Sequence, residues 1–187
     1  MTKPSVLVMY TDQQRYDTLG VNGNSLIQTP NLDRLGEQGV TFHNAHVTNP
    51  LCVPSRVGFF TGRHTHATMS YHNVIRMDDS EREFVSLLKD NGYTTALIGK
   101  DHCFGHGRDR MVFDYLSLAG HMCFKPPRNP REREVNEVHA GAFWVPYKKH
   151  EIPPDEDVSG KLCLEACDYI AVNHDRPFFL WLSMPEP

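Results

Sequence analysis

Cys52-Val53-Pro54-Ser55-Arg56, followed by Thr61-Gly62-Arg63, sets a thiol just ahead of a proline that suits the first turn of a helix. A helix N-terminus offers unpaired N–H groups and partial positive charge, which favour an anionic ligand and lower a thiol pKa. Arg56, one turn further on, adds a planar charged fork matched to oxyanions. Two apolar runs elsewhere end in groups that could meet this turn. SVLVMYTD delivers Asp12, and GYTTALIGKDH delivers Lys100, Asp101 and His102. Lys100 is a point cation and His102 a titratable donor. A carboxylate such as Asp12 among cations makes sense if a hard divalent metal is held there too, because such metals take oxygen ligands. Together these residues describe an oxyanion site with a potential nucleophile.

Strand ends and helix starts must bring these groups together. SVLVMY reads as a buried parallel strand. NLDRLGEQG reads as a helix with Asn31 as N-cap, Pro30 fixing the entry, Leu32 and Leu35 on one face, and Gly39 as the stop. VTFHNAHVT alternates and predicts a second strand. A helix over about residues 54–60 stops at Gly62. Ser80 is the predicted cap of EREFVSLLKDNG, where Phe84, Leu87 and Leu88 fall at helical spacing and Gly92 ends the run. YTTALIGK is β-rich, and a helix over about 157–173 leads into PFFLWLSM, an apolar strand. Strands alternating with helices predict an α/β fold with a largely parallel sheet flanked by helices. Residues 125–154 carry six of the thirteen prolines and read as an irregular loop excursion over a site. Trp144 and Tyr147 within it either stack on a substrate or pack against the body.

The 187 residues suit a single domain over 1–187, with 40% apolar residues and a net charge of −4. That charge argues against a nucleic-acid partner. The N-terminal apolar run is too short for a signal peptide or a membrane span, so the sequence predicts a cytoplasmic protein with no membrane partner. Five cysteines without a CxxC argue against a disulfide framework or a zinc knuckle. Cys163 and Cys167, four apart on the last helix, are expected on its buried face. Ligand groups in open α/β sheets come from the C-terminal ends of strands, and the sequence stops straight after PFFLWLSM. The expectation is that it forms part of something longer.

Cys52 to Arg63 matches C-x-P-S-R-x-x-x-x-T-G-R at every fixed position, and TPNLDRLGEQGVTFHNAHVTNPLC and GYTTALIGKDH flank it. The whole chain resembles the N-terminal portion of a sulfatase of the alkaline-phosphatase-like superfamily. That resemblance implies that Cys52 is converted to formylglycine by a formylglycine-generating enzyme or its equivalent. One hydroxyl of the aldehyde hydrate attacks the sulfur of a small-molecule sulfate ester in line and displaces the alcohol. Deprotonation of the second eliminates sulfate and restores the aldehyde. The resemblance implies a divalent cation, usually calcium with magnesium or manganese as alternatives, bound by Asp12 and faced by residue 52. Arg56 would hold the formylglycine hydroxyl and the metal carboxylates. Lys100 would bind a sulfate oxygen, and His102 would position or deprotonate the second hydroxyl. Asn73, in MSYHN, falls near the substrate in relatives. His64, His66 and His72 fall where the family has loop and are expected at the surface or the substrate rim.

Two departures from the family pattern stand out. Many sulfatases have Asp-Asp where this chain has Asp12-Gln13, and Gln13 offers at most a neutral amide oxygen; choline sulfatase-like and phosphonate monoester hydrolase-like relatives share the Asp-Gln. The family's remaining metal and catalytic residues lie beyond position 187. A sulfuric ester hydrolase is therefore the leading reading. A phosphonate or phosphate monoester hydrolase of the same superfamily is one alternative. The other is a catalytically incomplete fragment that only binds an anion or a partner. A homo-oligomer is compatible with all three.

Overall fold

Four apolar runs form four parallel strands in the computed structural model, which describes residues 3–105, 107–119 and 157–187. They are β1 (Val6–Tyr10), β2 (Thr94–Gly99), β3 (Tyr115–Leu118) and β4 (Phe178–Ser183), in the order β1-β4-β2-β3. β4 lies between β1 and β2, and all six of its residues are buried. That is why it reads as a continuous apolar run: a parallel strand covered on both faces has no polar side. The other elements described are α1 (Pro30–Gln38), α2 (Cys52–Thr61), α3 (Thr65–Thr68), α4 (Phe84–Asp90), α5 (Asp109–Val112) and α6 (Val158–Asn173), with two short 3-10 turns before α1.

The sheet separates two apolar cores. On one face Val53, Val57 and Phe60 of α2 and Val85 of α4 pack on Leu97, Phe179 and Trp181. On the other, Leu162, Ala166 and Tyr169 of α6 pack on Ala96, Ile98, Phe178, Leu180 and Leu182. Their spacing of three and four residues is the stripe a helix must present to a sheet. Asp157 caps α6 by accepting the Ser159 and Gly160 N–H groups at 3.0 and 3.4 Å.

Several sequence expectations change. VTFHNAHVT forms no strand; Val40 and Phe42 are 77% and 75% exposed. Alternation defines two faces but supplies no ladder partner, and none pairs with this segment among the described residues. Thr29, not Asn31, is the N-cap of α1, with Pro30 as the first helical residue. Leu32 and Leu35 share a face that stays exposed. Ser80 does not cap α4: its hydroxyl turns back onto Asp78 Oδ1 at 2.5 Å, and the helix begins after Glu83. Cys163 and Cys167 are exposed rather than buried. The buried stripe of α6 runs through Leu162 and Ala166, which leaves both thiols on its flank. β3 has no sequence forecast. The 125–154 excursion, with Trp144 and Tyr147, lies outside the described residues. Among the described residues no helix is long and apolar enough to cross a membrane.

Candidate active site

Strand register brings the site together. Tyr10, Ser183 and Gly99 lie level across β1, β4 and β2, so the residues that follow them emerge side by side at the C-terminal edge. Gly99 is required here. Its φ is +106°, and a Cβ would sit 2.0 Å from the Ser183 carbonyl oxygen, which itself accepts the Lys100 N–H at 2.9 Å. The chain thus turns sharply off β2 and sends the Lys100 side chain inward.

Cys52 is the first residue of α2, and its Sγ lies 3.5 and 3.7 Å from the two carboxylate oxygens of Asp12. Lys100 Nζ is 3.8 Å from the same sulfur and ion-paired with Asp12 Oδ2. Arg56 is wholly buried one turn along α2. Its Nη1 donates to the Lys100 carbonyl at 2.9 Å and to Ser183 Oγ at 2.7 Å, while Nη2 stands 4.0 Å from Asp12 Oδ2. The guanidinium carbon sits 5.0 Å from the Tyr10 ring centre and 5.2 Å from that of Trp181, so aromatic faces help to hold the charge away from water. Arg56 Nε and Nη2 make no hydrogen bond. The expected group of Asp12, Cys52, Arg56 and Lys100 does converge.

Asn73 and His102 complete the rim. Asn73 Oδ1 accepts the Val53 N–H at 3.0 Å, satisfying one of the donors that a helix start leaves unpaired. His102 adopts a φ of 62°, unusual for a residue with a side chain, and its Nδ1 is buried without a hydrogen-bond partner. Burial first, then the positive charges of Lys100, Arg76 and Arg56, push its pKa down from 6.5 to about 4. The imidazole is therefore neutral near pH 7.

The Cys52 thiol corrects an expectation. A helix N-terminus favours a lowered pKa, yet burial and the facing Asp12 carboxylate push it up, against the pull of Lys100 and Arg56. As a plain thiol, Cys52 is poorly activated. For a hard cation, this edge supplies the buried Asp12 carboxylate, the neighbouring Gln13 amide and residue 52. The Asp12 carboxylate is the kind of oxygen donor such an ion takes, and the Lys100 ammonium now paired with it would have to give way to the ion. Among the described residues no three His, Cys, Asp or Glu side chains gather around one point. His64 and His66 stack with ring centres 5.7 Å apart and, like His72, are solvent-facing or nearly so. Thr61-Gly62-Arg63 closes α2: Thr61 Oγ1 donates to the Val57 carbonyl at 2.7 Å, Gly62 takes the left-handed C-cap with φ 67°, and Arg63 reaches Glu81 at 2.6 Å.

Sequence reasoning missed Ser183 and Arg76. Ser183 follows the rule that found Asp12, a polar residue ending an apolar strand, and could have been found by it. Arg76 lies in an irregular segment with no periodic signal.

A family model described as Sulfatase matches residues 4–187. The chain is 36% identical to the Ulvan-active sulfatase of Formosa agariphila over 195 residues, covering 100% of this chain and 36% of that protein. It is 30% identical to the N-acetylgalactosamine-6-sulfatase of Mus musculus over 206 residues, covering 97% and 39% of the two. The crystal structure of Ps i-CgsB in complex with k-i-k-neocarrahexaose shares its fold with a TM-score of 0.77 at 27% identity, over 100% of this chain and 46% of that one. The Phosphonate Monoester Hydrolase of Agrobacterium radiobacter, at 20% identity and a TM-score of 0.71 over 97% and 40% of the two chains, is a likeness of fold alone. The chain spans less than half the length of each of these relatives.

Proposed function

The chain belongs to the sulfatase family, and from that premise we propose that the whole protein hydrolyses sulfate esters with residue 52 as its nucleophile. One observation carries the reading: Cys52 Sγ stands where Asp12, Lys100 and the first turn of α2 meet, 3.5 Å from the carboxylate and 3.8 Å from the ammonium. Conversion of Cys52 to formylglycine by a maturation enzyme supplies the hydroxyls that the poorly activated thiol lacks. Asp12, with Gln13 and residue 52, would hold a divalent cation, calcium first, and such an ion would supply Lewis-acid polarisation of the ester.

The chain's own residues do the rest. Lys100 Nζ binds a sulfate oxygen as a point charge. Arg56 cannot swing, because Nη1 is tied to the Lys100 carbonyl and Ser183 Oγ. Its unbonded Nη2 and Nε are donors kept in place for residue 52 and the anion, a preorganised arrangement that needs no rearrangement during reaction. Neutral His102 has a ring nitrogen able to accept a proton, and an anion in the site raises its basicity from the value set by the surrounding cations.

Mass spectrometry of protein co-expressed with a formylglycine-generating enzyme should show loss of the thiol at residue 52 and a hydrazide-reactive aldehyde in its place. Cys52→Ala should abolish aryl sulfate turnover. Full turnover by that variant would remove residue 52 from the chemistry.

A further inference from the structure

A single guanidinium nitrogen joins two separate turns of the site. Arg76 Nη1 donates to the Asn73 carbonyl at 3.0 Å and to the His102 carbonyl at 2.8 Å. The next residue repeats the stitch, with the Met77 N–H on the Cys103 carbonyl at 2.9 Å. The stem of Arg76 lies against Gly105, where an added Cβ would meet Arg76 Cβ at 3.1 Å and Cγ at 3.3 Å. Arg76 is an exposed arginine by area, yet its head and stem are both engaged.

Both tethered residues face the site. Asn73 binds the start of α2 through the Val53 N–H. His102 keeps a left-handed backbone, φ 62°, which a residue with a side chain holds only where its surroundings impose it. No hydrogen bond fixes the buried His102 Nδ1, so main-chain restraint sets where the ring points. Resting on the hydrolase reading above, we propose that Arg76 is a positioning residue: its Nη1 clamps the Asn73 turn to the His102 turn and so fixes the His102 imidazole and the Asn73 amide beside the start of α2. Both carbonyls accept from the same nitrogen, so what a lysine lacks is not a second donor but the length and planar stiffness that hold that nitrogen between them. The charged groups acting on His102 are Lys100, Arg56, Arg76 and Asp12, drawn from four different segments.

Arg76→Met keeps the stem and removes the donors, and Arg76→Lys keeps the charge on a shorter and more flexible head. The first readout needs no catalysis: amide exchange of Met77, and the titration of the His102 ring followed by NMR in the 187-residue protein. Arg76→Met should speed Met77 exchange about tenfold or more, since local opening sets that rate. It should also raise the His102 midpoint from about 4. Arg76→Lys should speed exchange while moving the midpoint little. Arg34→Met, on the exposed face of α1, should change neither. The second readout is aryl sulfate turnover by matured protein. There both Arg76 variants should lose about 10- to 100-fold in kcat, the scale of a slightly misplaced group, without loss of the aldehyde at residue 52. Unchanged Met77 exchange and His102 titration in Arg76→Met would overturn the clamp. Wild-type protein that carries the aldehyde and turns over no sulfate ester would instead sink the hydrolase reading, with the exchange and titration results still deciding the clamp.

Discussion

Replacing Arg56 by methionine should be among the most damaging single changes to this chain. The guanidinium is 0% exposed and donates to the Lys100 carbonyl and to Ser183 Oγ. A hydrogen bond from a charged donor contributes about 1.5–3 kcal/mol, so losing two costs about 3–6 kcal/mol. Methionine recovers part of this. It fills most of the volume, keeps soft contact with the Tyr10 and Trp181 faces, and ends the burial of two guanidinium nitrogens that make no hydrogen bond. The Asp12 carboxylate keeps its pairing with Lys100 and loses only a contact at 4.0 Å. The net loss should be about 2–4 kcal/mol, a large share of an ordinary domain's stability. With an m-value of about 2 kcal/mol per molar urea, the midpoint should fall by about 1–2 M. Fluorescence of Trp181, against which the guanidinium packs, reports the transition. Ser183→Ala alone should cost less, and the double variant should fall short of the sum by about 1 kcal/mol or more, because neighbours that share a hydrogen bond are coupled. Stability of Arg56→Met within about 0.5 kcal/mol of wild type, or additivity of the two changes, would show that these bonds hold nothing together.

Gly99→Ala should destabilise by about 3 kcal/mol or more, since a positive φ is combined with a clash against main chain that has no flexible end to move; thermal denaturation gives the answer, and a shift of a degree or two would contradict it. His102 favours its neutral form in the fold, with its pKa lowered from 6.5 to about 4. Its contribution is present in full above about pH 6.5 and is lost as pH falls towards 4. The urea midpoint should decline across that window and decline less in His102→Gln; equal slopes would exclude the histidine as the cause. Calcium titration of the 187-residue protein by calorimetry should give a dissociation constant weaker than about 100 µM, because the ion wants about six to eight oxygens. Even if Asp12, Gln13 and residue 52 all bound it, they would fill only part of that shell, and micromolar binding would show that the ligand set is complete within these residues.

How much of this was legible beforehand depends on which physical signal each element left. β4 was plain from its unbroken apolar run, and the helix expected over about 157–173 runs from Val158 to Asn173. The convergence of Asp12, Cys52, Arg56 and Lys100 was legible because each lies at a strand end or a helix start, the places where open α/β sheets gather polar groups. Residues 40–48 misled because alternation marks faces without naming a partner. Cys163 and Cys167 misled because average burial says nothing about which flank of a helix a side chain occupies. The rise in the Cys52 pKa could not be read, since it depends first on burial in the fold and then on a carboxylate forty residues away in sequence and 3.5 Å away in space. Arg56 announced its charge but not its enclosure between Tyr10 and Trp181, which exists only after β1 and β4 have paired.

That pairing has a consequence for how the protein is made. Val6 lies opposite Phe179, so β1 waits for a partner 179 − 6 = 173 residues later in the chain. At a synthesis rate of about 5–20 residues per second, the wait lasts roughly 10–35 seconds on the ribosome. Throughout it Val6, Val8 and Tyr10 lack their ladder with β4 and have only an incomplete core to join. β2 and β3, about twenty residues apart, close early; the Asp12 end of the pocket closes after them, since contacts so distant in sequence form late and slowly. A nascent chain stalled before β4 therefore displays the Cys52 segment without its Asp12 wall.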